Sequence, residues 1–205
     1  SMRIPAMMDI KAMEQWYRMN KAKNFTEFYQ ALSMTSLPMF NIMYADRYDT
    51  VFYISNAKLP VRNPDPQYNW KSTLPGNTSA TLWTKFKPIT ELPQYVNPAS
   101  GYLFNTNHSP FLATEPRYNL NAENFDNNDG FERYHNNRSQ RFTALVKGVE
   151  TIDYSRFKNI KFDQQRPEQL PDFHEGIGIM ATGILRFSEP DTSRKRQKQL
   201  TGYTR

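Results

Sequence analysis

The side chains best placed to do chemistry lie in LPQYVNPASGYLFNTNHSP, from Leu92 to Pro110. The stretch reads as a proline-bounded turn (Leu92-Pro93, Asn97-Pro98), a glycine (Gly101), an aromatic strand (Tyr102-Leu103-Phe104) and a polar exit, Asn105-Thr106-Asn107-His108. Polar side chains delivered by the end of a rigid strand make fixed hydrogen-bond donors. The other reactive residue types give less. His108, His135 and His174 are all the histidines; none has a second histidine at metal-ligand spacing, and Ser109 beside His108 is not a triad signature. The absence of cysteine excludes disulfides, thiolate zinc sites and a cysteine nucleophile. Asp126, Asp129 and Glu132 in ENFDNNDGFER suggest calcium, but their spacing is not that of an EF-hand, and the segment reads as a solvated loop.

These groups must be positioned by a chain of 205 residues, enough for one domain or a piece of a larger protein. Hydrophobic residues make up only 38%, but 14 Phe, 12 Tyr and 3 Trp supply large buried areas, so a core is feasible. No apolar run reaches membrane-spanning length. Ser1-Met2-Arg3-Ile4-Pro5 has no signal-peptide core; Ser1-Met2 reads as a cloning remnant ahead of an internal stretch. The net charge of +6 is concentrated in residues 186–205, where six basic residues face Glu189 and Asp191. The rest is nearly balanced, which argues against a broad nucleic-acid surface.

In chain order, residues 9–20 place Ile10, Met13, Trp16 and Tyr17 at helical spacing, with Asp9 as N-cap. Asn24 caps a second helix with Glu27 in the capping-box position and Phe25, Phe28, Tyr29 and Leu32 on its apolar face; Pro38 ends that unit. Residues 39–46 and 50–55 form a β-hairpin, with Asp46 capping the turn and Asn41 bonded to a neighbouring strand. Residues 61–93 form an ordered excursion held by Trp70 and Trp83, with Arg62 bracing it. A helix spans 134–147 with Phe142, Leu145 and Val146 buried and Gly148 ending it. A shorter helix follows Asp153. Residues 174–187 carry three glycines and make a poor helix, and the tail 188–205 has no apolar face.

The order of signals from Phe28 to Phe142, inside a recognisable core of residues 9–147, resembles the β-chain of penicillin acylases and the related acyl-homoserine lactone acylases. The resemblance rests on EFYQAL, on MFNIMYADRYDTVFYISNAKLPVR, on YNWKSTLPG, on the Asn-Pro-x-x-Gly run that ends in Asn-x-Asn, and on Asn137-Arg138 ahead of an apolar helix. It implies an α+β fold, part of the αββα sandwich of an N-terminal-nucleophile (Ntn) hydrolase, with an antiparallel sheet and flanking helices. It also implies autocatalytic processing and cleavage of linear amides by an N-terminal Ser whose own amine is the base. The tetrahedral oxyanion is then held by a backbone N–H and an Asn amide, which an Arg orients.

Carried onto this chain, the oxyanion-hole residue is Asn107, and a neutral amide can stabilise developing negative charge without competing for protons. Arg138 is the orienting residue, with Arg141 as a substitute because the insertion after Asn107 is longer than in the penicillin G type. Phe104 and His108 are pocket candidates. Ser1 is not read as the nucleophile: the family's Ser lies well upstream and has Asn and Trp nearby, which Ser1-Met2-Arg3-Ile4 lacks. No cofactor and no metal site are expected; calcium occurs in the family, but no ligand set can be placed. The expected partners are a small-molecule amide, the remaining α- and β-chain segments of the parent enzyme, and a second copy through exposed sheet edges, with neither nucleic acid nor membrane. The parent would be periplasmic or secreted. A different reading is a non-catalytic module in which aromatic strands make a peptide or carbohydrate platform.

Overall fold

The computed structural model describes residues 2–167. Ser1, His174, the glycine-containing 174–187 segment and the basic tail lie outside the described residues. The architecture is α+β. Helices α1 (Ala12–Lys21) and α2 (Phe25–Leu32) precede strands β1 (Phe40–Ala45), β2 (Val51–Asn56) and β3 (Gln94–Val96), and helices α3 (Asn137–Val146) and α4 (Tyr154–Lys161) follow. The sheet order is β1-β2-β3, antiparallel throughout, with Ile42 opposite Ile54 and Tyr53 opposite Tyr95.

The hairpin forms where the sequence predicts it. Asp46 accepts from the Tyr48 and Thr50 amides at 2.9 and 3.1 Å, and Asp49 turns the chain with φ = +62°. β2 is central and buried on both faces, so its side chains divide with period two. Phe52 and Ile54 pack with Leu32, Leu37, Ile42 and Leu92 under α1 and α2; Tyr53 faces the opposite side with Tyr95 and Ala113. Each fully buried Leu, Ile or Phe contributes roughly 1.5–3 kcal/mol. α2 starts as expected: the Asn24 side chain accepts from Glu27 N–H at 2.9 Å, while Glu27 accepts from Lys23 N–H at 2.9 Å. Phe25, Phe28 and Tyr29 pack against the core.

Several expectations fail. The apolar spacing of α1 does not mark its buried face: Ile10 is 96% exposed and Met13 78%, while Gln15 and Met19 are buried. The reason is polar. Gln15 Nε2 donates to Asn56 Oδ1 at 3.0 Å, and Gln15 Oε1 accepts from Ser36 N–H at 2.6 Å, so the helix is oriented by a buried amide. Asp9 is not the N-cap; Lys11 holds that position, and the Asp9 carboxylate binds Lys58, Ser36 and the Lys11 amide. Residues Tyr102–Phe104 are not a strand. The third strand is Gln94–Val96, ahead of Asn97-Pro98, and beyond the turn closed by Gly101 (φ = +75°) residues 102–104 make a single backbone–backbone bond among the described residues, Phe104 N–H to Ala113 O at 2.9 Å.

The excursion 61–93 is clasped at its base, where Val61 N–H donates to Lys85 O and Lys87 N–H to Leu59 O. Trp70 bonds Asn63 O and lies beneath the Arg62 guanidinium. The acidic segment is not wholly solvated: Asp129 is buried and paired with Lys87 at 2.7 Å. α3 begins at Asn137, later than predicted, because Asn136 caps it through Ser139 N–H; Gly148 follows its end with φ = +71°. Phe142, Leu145 and Val146 are half-buried, and it is Ser139 that is fully enclosed. α4 starts at the predicted cap, Asp153.

Candidate functional site

The site is a tight turn held against the first turn of α3. Asn107 occupies the left-handed region at φ = +56°, a conformation that costs most L-residues roughly 1–2 kcal/mol and that Asn tolerates comparatively well. Its neighbours over-determine it. Asn107 N–H donates to Asn105 Oδ1 at 2.9 Å, and the same oxygen accepts from Asn41 Nδ2 at 3.2 Å, which ties the turn to β1. Asn136 Nδ2 donates to the carbonyls of Thr106 and Asn107 at 2.9 and 3.0 Å. Its Oδ1 accepts from Ser139 N–H at 2.9 Å, so one side chain both caps α3 and clamps the turn.

That clamp sets the distance between the two residues the sequence singled out. Arg138, in the first turn of α3, donates from Nη2 to Asn107 Oδ1 at 3.2 Å. Both side chains are exposed, and Asn107 Nδ2 has no hydrogen-bond partner among the described residues. A donor to the amide oxygen fixes which end of the carboxamide faces outward: the NH2 group. Arg141 is engaged elsewhere, with two bonds to Asp163 at 2.9 and 3.0 Å and one to Gln165 at 2.7 Å.

Phe104 and His108 lie behind the turn. A column of rings runs from Phe142 through Phe104 and His108 to His135, with centroid spacings of 4.1, 4.6 and 6.0 Å and nearly parallel planes. Phe104 and His108 are both buried, and each is covered by rings on two faces. Burial pushes the His108 imidazole below its ordinary pKa, as it does for His135. A cavity of about 210 Å³ is found elsewhere, lined by Leu37, Met39, Leu59, Arg62 and Asp129 among others and by none of these site residues. Among the described residues no group of three or more His, Asp or Glu side chains is placed to hold a metal ion, and no helix is long and apolar enough to cross a membrane.

Sequence reasoning missed Asn136 and the part played by Asn105, and it expected Asn41 to bond a neighbouring strand, whereas the Asn41 side chain reaches Asn105 in the turn. Asn136 carried a readable signal, since an Asn three residues before Ser139 and just ahead of an apolar-periodic segment is a helix N-cap. The bond between Asn41 and Asn105 spans 64 residues and leaves no local trace.

Comparison with known proteins identifies the family. The model of the penicillin amidase family matches residues 1–200, so the chain belongs to that family. It is similar to the penicillin G acylase of Escherichia coli, with 31% identity over 104 residues. That match covers 50% of this chain and 12% of the Escherichia coli protein.

Proposed function

We propose that Asn107 and Arg138 form the oxyanion-stabilising part of an amide hydrolase. The observation that carries this reading is the Arg138–Asn107 bond of 3.2 Å, made between residues 31 positions apart and leaving the Asn107 NH2 group facing outward. In the proposed reaction, the hydroxyl of an N-terminal Ser adds to the carbonyl carbon of a linear amide, and the serine's own α-amine takes the hydroxyl proton. The carbonyl oxygen becomes an oxyanion and accepts from Asn107 Nδ2. Collapse of the tetrahedral intermediate returns the proton to the leaving amine, and water then hydrolyses the acyl-serine ester. Arg138 polarises the Asn107 amide through its oxygen, which makes the NH2 group a stronger donor. The N-terminus of α3 adds favourable partial positive charge on the same side.

The nucleophile is supplied by polypeptide outside these 205 residues, within the αββα sandwich of an exported Ntn hydrolase. By themselves these residues are expected to give no turnover, and burst release of an acyl product by them alone would refute this. The reading is tested by Asn107→Ala in the full-length protein. The catalytic rate should fall about 10²–10³-fold, the usual effect of losing one oxyanion donor; a near-normal rate overturns the assignment.

A further inference from the structure

We infer that His108 is a positioning residue for Asn107: its neutral imidazole, protonated on Nε2 alone, holds the turn that presents the Asn107 amide, and acid releases that hold. The inference rests on the oxyanion reading for its functional meaning, but its geometry stands independently. The ring's two nitrogens face groups of opposite kind. Nε2 lies 2.8 Å from the carbonyl oxygen of Leu112, which can only accept. Nδ1 lies 3.2 Å from Thr106 N–H, which can only donate, and 3.1 Å from the Thr106 hydroxyl. The neighbours therefore fix the tautomer, with the proton on Nε2 and the lone pair on Nδ1. This one ring spans the turn from Thr106, the residue before Asn107, to the segment after Ser109.

A proton on Nδ1 would set two N–H groups against each other and place a cation in a buried slot. From α3 and its lead-in the facing titratable or charged groups are His135, stacked at 6.0 Å, and Arg138. Both oppose a charge on His108. The remaining contacts are neutral: Phe104 on one ring face, the Leu112 carbonyl and Thr106. With the folded-state pKa held below the ordinary 6.5, the turn has its full strength above that pH and loosens as pH falls below it. The clamp from Asn136 to the Thr106 and Asn107 carbonyls then holds the turn with the bonds that join Asn105 and Arg138 to Asn107, without the tie to Leu112 that the ring supplies.

The experiment is an NMR titration of the 205-residue chain with ¹⁵N-labelled histidine, threonine and asparagine. The expected result is an Nε2–H tautomer for His108, with its titration, the Thr106 amide shift and the Asn107 side-chain amide shift sharing one midpoint below the ordinary imidazole value. In His108→Gln, which keeps one donor and one acceptor, the acid-dependent shifts of Thr106 and Asn107 should vanish while their neutral-pH positions persist. In His108→Leu, Thr106 amide exchange should quicken about tenfold, as for loss of one buried hydrogen bond. An Nδ1–H tautomer, or a His108 titration to which Thr106 and Asn107 do not respond, overturns the inference. Because no catalysis is measured, failure here is distinguishable from failure of the oxyanion reading, which rests on the rate of Asn107→Ala.

Discussion

Gln15 donates from Nε2 to Asn56 Oδ1 at 3.0 Å with both side chains fully buried, and this pair orients α1 on the sheet. Gln15 Oε1 takes the Ser36 amide, and Asn56 Nδ2 reaches the Leu32 carbonyl, so the two amides join α1, the end of α2 and the end of β2. Gln15→Leu orphans the Ser36 N–H and Asn56 Oδ1, at about 1–3 kcal/mol for each group. Urea unfolding should show that loss. The contrasting change, Met13→Gln on the exposed face of the same helix, should stay within about 0.5 kcal/mol.

What was legible in the sequence follows from how local the determining physics is. The α2 cap, the hairpin and the α4 cap are each set within a few residues, through Asn24 and Glu27, through Asp46 and through Asp153, and all three were readable. The face of α1 was misread because apolar spacing counts Ile10, Met13, Trp16 and Tyr17, whereas a polar partner 41 residues away turns Gln15 inward. The third strand was misplaced because the aromatic run Tyr102-Leu103-Phe104 has strand-like composition, but its rings pack on Phe142 instead of pairing its backbone in the sheet. At the site, Asn107 and Arg138 were reached through the resemblance, while the clamp that joins them, Asn136, is visible only once α3 is seen against the turn.

Arg138 and Asn107 should behave as one unit. In the full-length enzyme, Arg138→Ala should lower kcat about ten- to a hundredfold, the size of one charge-assisted hydrogen bond, with little change in KM. On the Asn107→Ala background the same substitution should cost almost nothing, since its partner is gone. Additive losses in this double-mutant cycle would show that Arg138 acts on something other than the Asn107 amide.

The Lys87–Asp129 pair anchors the acidic segment to the base of the 61–93 excursion. Its 2.7 Å contact is almost dry, with Asp129 at 3% exposure. Lys87→Met leaves the carboxylate buried without its hydrogen-bonded cation, with only the Arg62 guanidinium nearby, and should destabilise the fold by up to about 3–5 kcal/mol. Replacing both members, Lys87→Met with Asp129→Leu, should recover most of that loss. Thermal unfolding of the three proteins measures it, and equal stability of the single and double variants would mean that the pair is not coupled.

Acid should weaken the tie between the start of α1 and the end of β2. The Lys58 ammonium bonds Asp9 at 2.9 Å and is the main reason the Asp9 carboxyl is held down to about 2, with help from the Lys11 amide and the Ser36 hydroxyl. The sign follows from the depressed pKa. In the unfolded chain Asp9 protonates near 3.8, so the folded state gains from the ionised form above that value and loses the gain as pH falls from about 4 towards 2. Lys58→Met removes the first and largest of these causes. The stability difference between wild type and Lys58→Met should therefore be full at pH 5, shrink through pH 4 to 2 and be nearly gone at the acid end. Urea midpoints across that range measure it. A difference that stays constant with pH would mean that Lys58 contributes through its packing over the Phe86 ring and not through the Asp9 charge.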